Sequence, residues 1–263
     1  MNGAQRIKIR HLVPSIVTVF AICAGMTSVR MSLEGHLEAS LYFILLAVFL
    51  DAADGKLARF LDSASPFGAE LDSLADFFNF GIAPGLLLYN TFYIGTEHAS
   101  LGWLATLVLA VCCALRLARF NLSVQRTDVT LKMDGFFVGV PAPALACLAL
   151  MPVFLHLHGW QYIFPPVART FYIICVGLLA VSTIPTYSIK HASIKRAYLP
   201  FAVVGAVVLV VCLLVYPWPT LIVANMLYIG SLPFSYLSFR KNDHVSDETE
   251  SRFATAHDEG GAG

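Results

Sequence analysis

The residues that could do chemistry are concentrated in one stretch of an otherwise apolar chain: Asp51, Asp54, Lys56, Arg59, Asp62, Glu70, Asp72 and Asp76. Asp51 and Asp54 are spaced i, i+3 and Asp72 and Asp76 i, i+4, so on helices each pair shares a face. The segment Ser63-Ala64-Ser65-Pro66-Phe67-Gly68 between them is a turn that returns the second helix antiparallel to the first, so that four carboxylates meet near one depth. Close carboxylates repel unless cations neutralise them, and hard divalent ions such as Mg²⁺ or Mn²⁺ prefer oxygen ligands. Two such ions would balance four acids, and a two-metal site suits displacement at phosphorus because it stabilises both the attacking and the leaving oxygen. Gly55, Ala58 and Gly68 remove side-chain bulk beside the acids, and Arg59 is positioned to take a diphosphate. The alternative, in which the acids pair with Lys56, Arg59 and the membrane interface, suits Asp62 and Glu70. It does not suit the four aspartates, which the single charges of Lys56 and Arg59 cannot neutralise.

The elements that carry these residues are membrane helices. Of the 263 residues 57% are hydrophobic and 13% charged, against about 25% charged in a soluble domain, and the mean hydropathy is +0.72. Apolar segments of roughly 20 residues, each sufficient to cross a bilayer as a helix, fall at 13–33, 38–60, 68–90, 101–121, 136–157, 169–188, 199–216 and 219–239. The expected fold is therefore an all-α polytopic bundle of about eight transmembrane helices. Residues 1–239 form its single membrane domain, and the polar stretch 240–263 a disordered tail. The first apolar run reads as a retained span rather than a cleaved signal peptide. An acid in a membrane helix costs about 2.5–3.5 kcal/mol on insertion scales, which makes this cluster a functional site by default.

Placement of Lys and Arg sets the orientation. With the N-terminus inside, Arg6, Lys8, Arg10, Lys56, Arg59, Arg116, Arg119, Arg126, Lys132, Lys190, Lys195, Arg196, Arg240, Lys241 and Arg252 lie on the inner side, and only Arg30 and Arg169 outside. Both termini are then cytoplasmic, and the active site lies at the cytoplasmic end of the second and third helices. The zero formal net charge gives no bulk field for nucleic acid. The six cysteines fall inside apolar runs without ligand spacing and read as small buried hydrophobes rather than disulfides or a zinc site.

The pattern Asp51-x2-Asp54-Gly55-x2-Ala58-Arg59-x8-Gly68-x3-Asp72-x3-Asp76 resembles the complete signature of the CDP-alcohol phosphatidyltransferase family. The resemblance implies that Asp51, Asp54 and Asp72 bind the metals, and that Asp76 both contacts metal and takes the proton of the attacking alcohol. It further implies that Gly55, Arg59 and a hydroxyl placed at Ser65 contact the CDP-lipid, with Ala58 and Gly68 completing that site. Pro14-Ser15-Ile16-Val17-Thr18 resembles a segment that borders the nucleotide in relatives, which adds Ser15 and Thr18. Arg116-Leu117-Ala118-Arg119-Phe120-Asn121, Gly139-Val140-Pro141-Ala142-Pro143-Ala144 and Ile184-Pro185-Thr186-Tyr187-Ser188 with Lys190 resemble the phosphatidylserine synthase branch. That branch more often has Leu where Val140 stands.

The branch implies transfer of a phosphatidyl group from CDP-diacylglycerol to L-serine in the cell membrane, by a protein surrounded by membrane lipids and commonly homodimeric. Serine brings a carboxylate, for which Arg116, Arg119, Asn121 and Lys190 are the candidates. Anchoring at the inner interface explains the basic residues among them equally well. Another acceptor, glycerol 3-phosphate or inositol phosphate, is the alternative within the family and would demand a denser basic pocket. A cation transporter is the alternative outside it; it would place acids near mid-membrane along a path to the other side, whereas here the acids crowd at one side and the outer halves of the spans lack partners.

Overall fold

Apolar runs closed by glycine, serine and proline set the helices. The computed structural model describes residues 12–63, 65–125, 136–138, 140–160, 163–182, 185–187 and 199–232. Helix α1 is Leu12–Leu33 and α2 is Leu37–Phe60. The turn between them contains Gly35 at φ 82°, in the left-handed region that glycine enters without steric cost. α1 and α2 pack closely along their length. Ser40 Oγ donates to the Ser28 carbonyl at 2.8 Å, and the two hydroxyls lie 3.0 Å apart. Small polar residues of this kind let membrane helices approach and bond to each other.

The third span is one helical segment in three parts: α3, Pro66–Asp76; a π-turn, Phe77–Ile82; and α4, Ala83–Phe92. Pro84 lies in the first turn of α4 and has no N–H to give the helix ladder. The ladder widens just before it, with the Ala83 amide bonding back to the Phe78 carbonyl five residues away. Helix α5, Ala99–Gln125, then lies against this segment so closely that only glycine fits at two points. A Cβ at Gly81 would stand 2.9 Å from Cys113 Cβ, and one at Gly85 3.0 Å from Thr106 Cγ2.

Strand β1, Phe136–Val138, follows, then α6, Ala142–Ala149, and α7, Met151–Leu157. Pro152 interrupts α6 and α7, and the Leu148 carbonyl that its missing amide would have met accepts instead from Tyr172 Oη at 2.8 Å. Helix α8, Pro166–Val181, packs on α5 and is followed by strand β2, Pro185–Tyr187. α9, Leu199–Val215, and α10, residues 217–232, complete the described chain.

Leu12–Leu33, Pro66–Phe92 and Ala99–Leu122 are each long and apolar enough to cross a membrane. The bundle core, with Leu41, Ile44, Leu87, Leu109, Leu145, Phe154 and Ile173, is sealed, whereas large apolar side chains such as Phe20, Phe49, Leu104, Phe171 and Leu227 face outward. A chain that is apolar outside as well as inside is a membrane protein.

Two expected helices are shorter than their apolar runs. The run from 136 begins with strand β1 and becomes helical only at Ala142, because Pro141 excludes the preceding residue from the helical region. The run to 188 leaves the helix at Ser182 and enters β2 at Pro185. β1 and β2 pair antiparallel, Phe136 with Tyr187 and Val138 with Pro185, an element the helical reading did not contain. Among the cysteines, Cys112 and Cys113 are buried as expected, but Cys23 and Cys175 face outward among lipid-facing apolar side chains. Lys190 and the tail 240–263 lie outside the described residues.

Candidate active site

Asp51 and Asp54 come from the last three turns of α2, and Asp72 and Asp76 from the last two turns of α3. The connection between these helices sets their facing. Asp62 adopts φ 47°, the single non-glycine residue in the left-handed region among the described residues, where aspartate is better tolerated than most side chains. Ser65 then caps α3: its Oγ accepts from the Gly68 amide at 3.0 Å, and Pro66 occupies the first turn.

One carboxylate oxygen each of Asp51, Asp72 and Asp76 lies within 4.8 Å of the other two, a spacing at which a cation could be held by all three. Asp54 stands on the adjoining side. It is buried, and its Oδ2 accepts from Thr18 Oγ1 of α1 at 2.6 Å. Asp72 borders both regions, since it also lines the cavity that Asp54 lines. Among the described residues the ion pairs are Arg30 with Glu34 and His98 with Glu97, so none of the four aspartates has a Lys or Arg within 4.0 Å. Asp76 Oδ1 is enclosed and has no hydrogen-bond partner. Half-buried carboxylates without partner cations, one of them with an enclosed oxygen lacking a partner, fit a divalent metal, which would satisfy both.

The cavity beside Asp54 has a volume of about 150 Å³ and opens between α1, α2 and α3. Ser15, Thr18, Gly55, Ala58, Ser65 and Gly68, all assigned to the CDP-lipid by resemblance, line it together with Asp54 and Asp72. Their small side chains make the space: a Cβ at Gly68 would meet Ser65 Oγ at 3.1 Å and Ser15 Oγ at 3.7 Å. Arg59 is not in the lining. It is exposed and folds back along α2, with Nε donating to the Gly55 carbonyl at 3.0 Å, which keeps the guanidinium near a residue of the lining.

Described parts of the three segments that resemble the phosphatidylserine synthase branch are linked to one another through α5 and the β1–β2 ribbon. Arg116 Nε donates to the Val140 carbonyl, and its charge acts on Asp76. Arg119 donates to the Val181 and Ser182 carbonyls at 2.8 and 3.1 Å, closing the C-terminal end of α8. The β1–β2 ribbon joins the chain beyond them. Asn121 Nδ2 donates to Ser73 Oγ at 3.0 Å, tying α5 to α3 next to Asp72. The charge of Arg116 thus reaches the acid cluster, whereas the contacts of Arg119 and Asn121 hold helices in place.

Two polar groups that the sequence reading left unassigned are also buried here. Asn79, in the π-turn, has no partner for either side-chain atom and packs where Gly25 of α1 leaves room. Tyr228, in α10, has an enclosed hydroxyl without a partner. The signal was present for both, since each is a polar group inside an apolar run.

The family model for CDP-alcohol phosphatidyltransferase matches residues 11–179, and a second, CDP-alcohol phosphatidyltransferase 2, matches residues 197–233. The chain belongs to the CDP-alcohol phosphatidyltransferase family. Its relatives in that family include CDP-diacylglycerol–serine O-phosphatidyltransferase of Mycobacterium leprae, 32% identical over 94% of this chain and 82% of the relative. The proteins of the same name from Helicobacter pylori and Methanocaldococcus jannaschii are 32% and 34% identical, each over 66% of this chain and over 71% and 74% of their own lengths. The family uses divalent metal, in keeping with the acidic cluster.

The Thr18–Asp54 bond gives a direct test of how the cluster is supported. Thr18→Val keeps the shape and removes the donor. Loss of such an outer contact typically weakens metal binding by about 10–100-fold, so the metal concentration giving half-maximal activity should rise at least about ten-fold, and Thr18→Ser should restore it. An unchanged metal requirement in Thr18→Val would show that Asp54 needs no support from α1.

Proposed function

We infer that this protein transfers the phosphatidyl group of CDP-diacylglycerol to the hydroxyl of L-serine, giving phosphatidylserine and CMP. The observation that carries the reading is the placement of Asp51, Asp72 and Asp76 around one point, beside a small-residue cavity, in a chain whose relatives bear that activity in their names. The cavity between α1, α2 and α3 takes the CDP moiety, with Ser15, Thr18, Gly55, Ala58, Ser65 and Gly68 as its walls and Arg59 at its mouth. Asp51, Asp54, Asp72 and Asp76 hold the metal, two ions of Mg²⁺ or Mn²⁺ balancing four acids. Bound there, divalent ions would neutralise the diphosphate and stabilise the departing phosphate of CMP.

Asp76 is the general base. Its carboxylate takes the proton of the serine hydroxyl as the new oxygen–phosphorus bond forms at the β-phosphorus and the bond to CMP breaks. Eight spans with both termini cytoplasmic put this chemistry at the inner surface of the cell membrane, where water-soluble serine and CMP come and go. Support for that orientation is the excess of Lys and Arg on the inner side.

The test is an acceptor panel. Purified protein in detergent with CDP-diacylglycerol should release CMP with L-serine and not with glycerol 3-phosphate or inositol phosphate. Release of CMP with a phosphorylated acceptor and not with serine would replace serine as the substrate while leaving the family chemistry intact.

A further inference from the structure

Arg116 is near enough to both Asp76 and Tyr228 for its charge to act on each. Only its Nε is engaged by the protein among the described residues, at the Val140 carbonyl that precedes α6. Tyr228 reaches this place because α10 is fixed in register. Asn225 Nδ2 donates to the Cys147 carbonyl of α6 at 2.9 Å and lies 3.8 Å from Met151 Sδ, while Leu221 and Ile222 are buried in the core. Tyr228 is three residues further along α10, about 4.5 Å of helix rise. Its ring packs on the core, yet its hydroxyl is enclosed with no partner. A buried hydroxyl that gives up water without gaining a hydrogen bond is destabilising, and its retention calls for an explanation such as a bond made to a ligand.

The ligand chemistry follows from the neighbours. An anion next to four aspartates is repelled unless a cation sits on the side away from them, and Arg116 is the cation that acts on Asp76. A carboxylate there can accept from the free end of Arg116 and from the Tyr228 hydroxyl together, both charge-assisted bonds. We propose that Tyr228 donates its hydroxyl to the carboxylate of the acceptor, so that α10 selects an amino acid over an uncharged alcohol. The proposal rests on serine being the acceptor. It gives the region matched by the second family model a direct part in substrate choice.

Tyr228→Phe removes only the hydroxyl and leaves the ring in the core. In detergent with saturating CDP-diacylglycerol, the KM for serine should rise about ten-fold, the effect of losing one hydrogen bond to a charged group. KM does not depend on the amount of folded enzyme, so a poorer yield does not blur the result. Serinol, which has the amine and hydroxyl of serine but no carboxylate, should compete equally well against both proteins. An unchanged serine KM would overturn the proposal. So would an equal loss of serinol affinity, which would make Tyr228 a wall of the pocket rather than a reader of the carboxylate. Wild-type protein that forms no phosphatidylserine would instead remove the acceptor assignment itself, and this inference with it.

Discussion

Asp76→Asn should lower phosphatidyl transfer by roughly two to four orders of magnitude, the usual worth of a positioned proton acceptor. The substitution is nearly isosteric, and the side chain meets no protein partner at Oδ1, so packing around it should persist. An amide cannot take the serine proton, and it also weakens a ligand set whose three oxygens lie within 4.8 Å. Asp62→Asn is the matched control. Asp62 is exposed in the connecting turn at φ 47°, and asparagine tolerates that left-handed backbone as well as aspartate does. It should keep most of its activity. Both variants would be compared in one detergent preparation with matched folding and CDP-lipid binding. Near wild-type turnover in Asp76→Asn, or an equal fall in Asp62→Asn, would overturn the catalytic assignment.

Removal of divalent metal should abolish turnover, and Mg²⁺ or Mn²⁺ should restore it. The same treatment should lower the unfolding temperature in detergent. Two ionised carboxylates less than 5 Å apart repel by roughly 3 kcal/mol or more at an effective dielectric of about 20. No Lys or Arg among the described residues stands within ion-pair distance to offset this. An ion that binds only the folded protein therefore adds stability in proportion to its occupancy. Sustained turnover in rigorously metal-free protein would sink the metal reading, and a melting temperature indifferent to EDTA would show that the acids are held protonated instead.

The four aspartates were legible because charge is expensive in a membrane helix and their spacing puts them on helix faces. The room for the cavity was legible in Gly55, Ala58 and Gly68, whose small side chains stand beside the acids, whereas its walls at Ser15, Thr18 and Ser65 were reached only through the family resemblance. The split among the acids was not legible. Spacing alone makes Asp51, Asp54, Asp72 and Asp76 equivalent, whereas the structure turns Asp54 toward α1 because Thr18 supplies a hydroxyl there. The β1–β2 ribbon was hidden by hydropathy, which cannot separate an apolar strand from the start of an apolar helix. The prolines at 141 and 185 held the correction. Tyr228 was overlooked because its polarity lies in a single atom, and only the packing of α10 shows where that atom ends up.

The π-turn at Phe77–Ile82 carries a consequence for the timing of the helix along the third span. Each residue advances a helix by about 100°, so the extra residue in this turn sets the phase between the half that bears the aspartates and the half that meets α5. Deleting one residue here would leave composition and hydropathy almost untouched. It would nevertheless rotate Ala83–Phe92 by about 100° relative to Asp72 and Asp76, swinging Gly85 away from Thr106 and Leu87 out of the core. Catalysis and packing on this helix are thus separate settings of one screw, and a single inserted residue keeps both in adjustment.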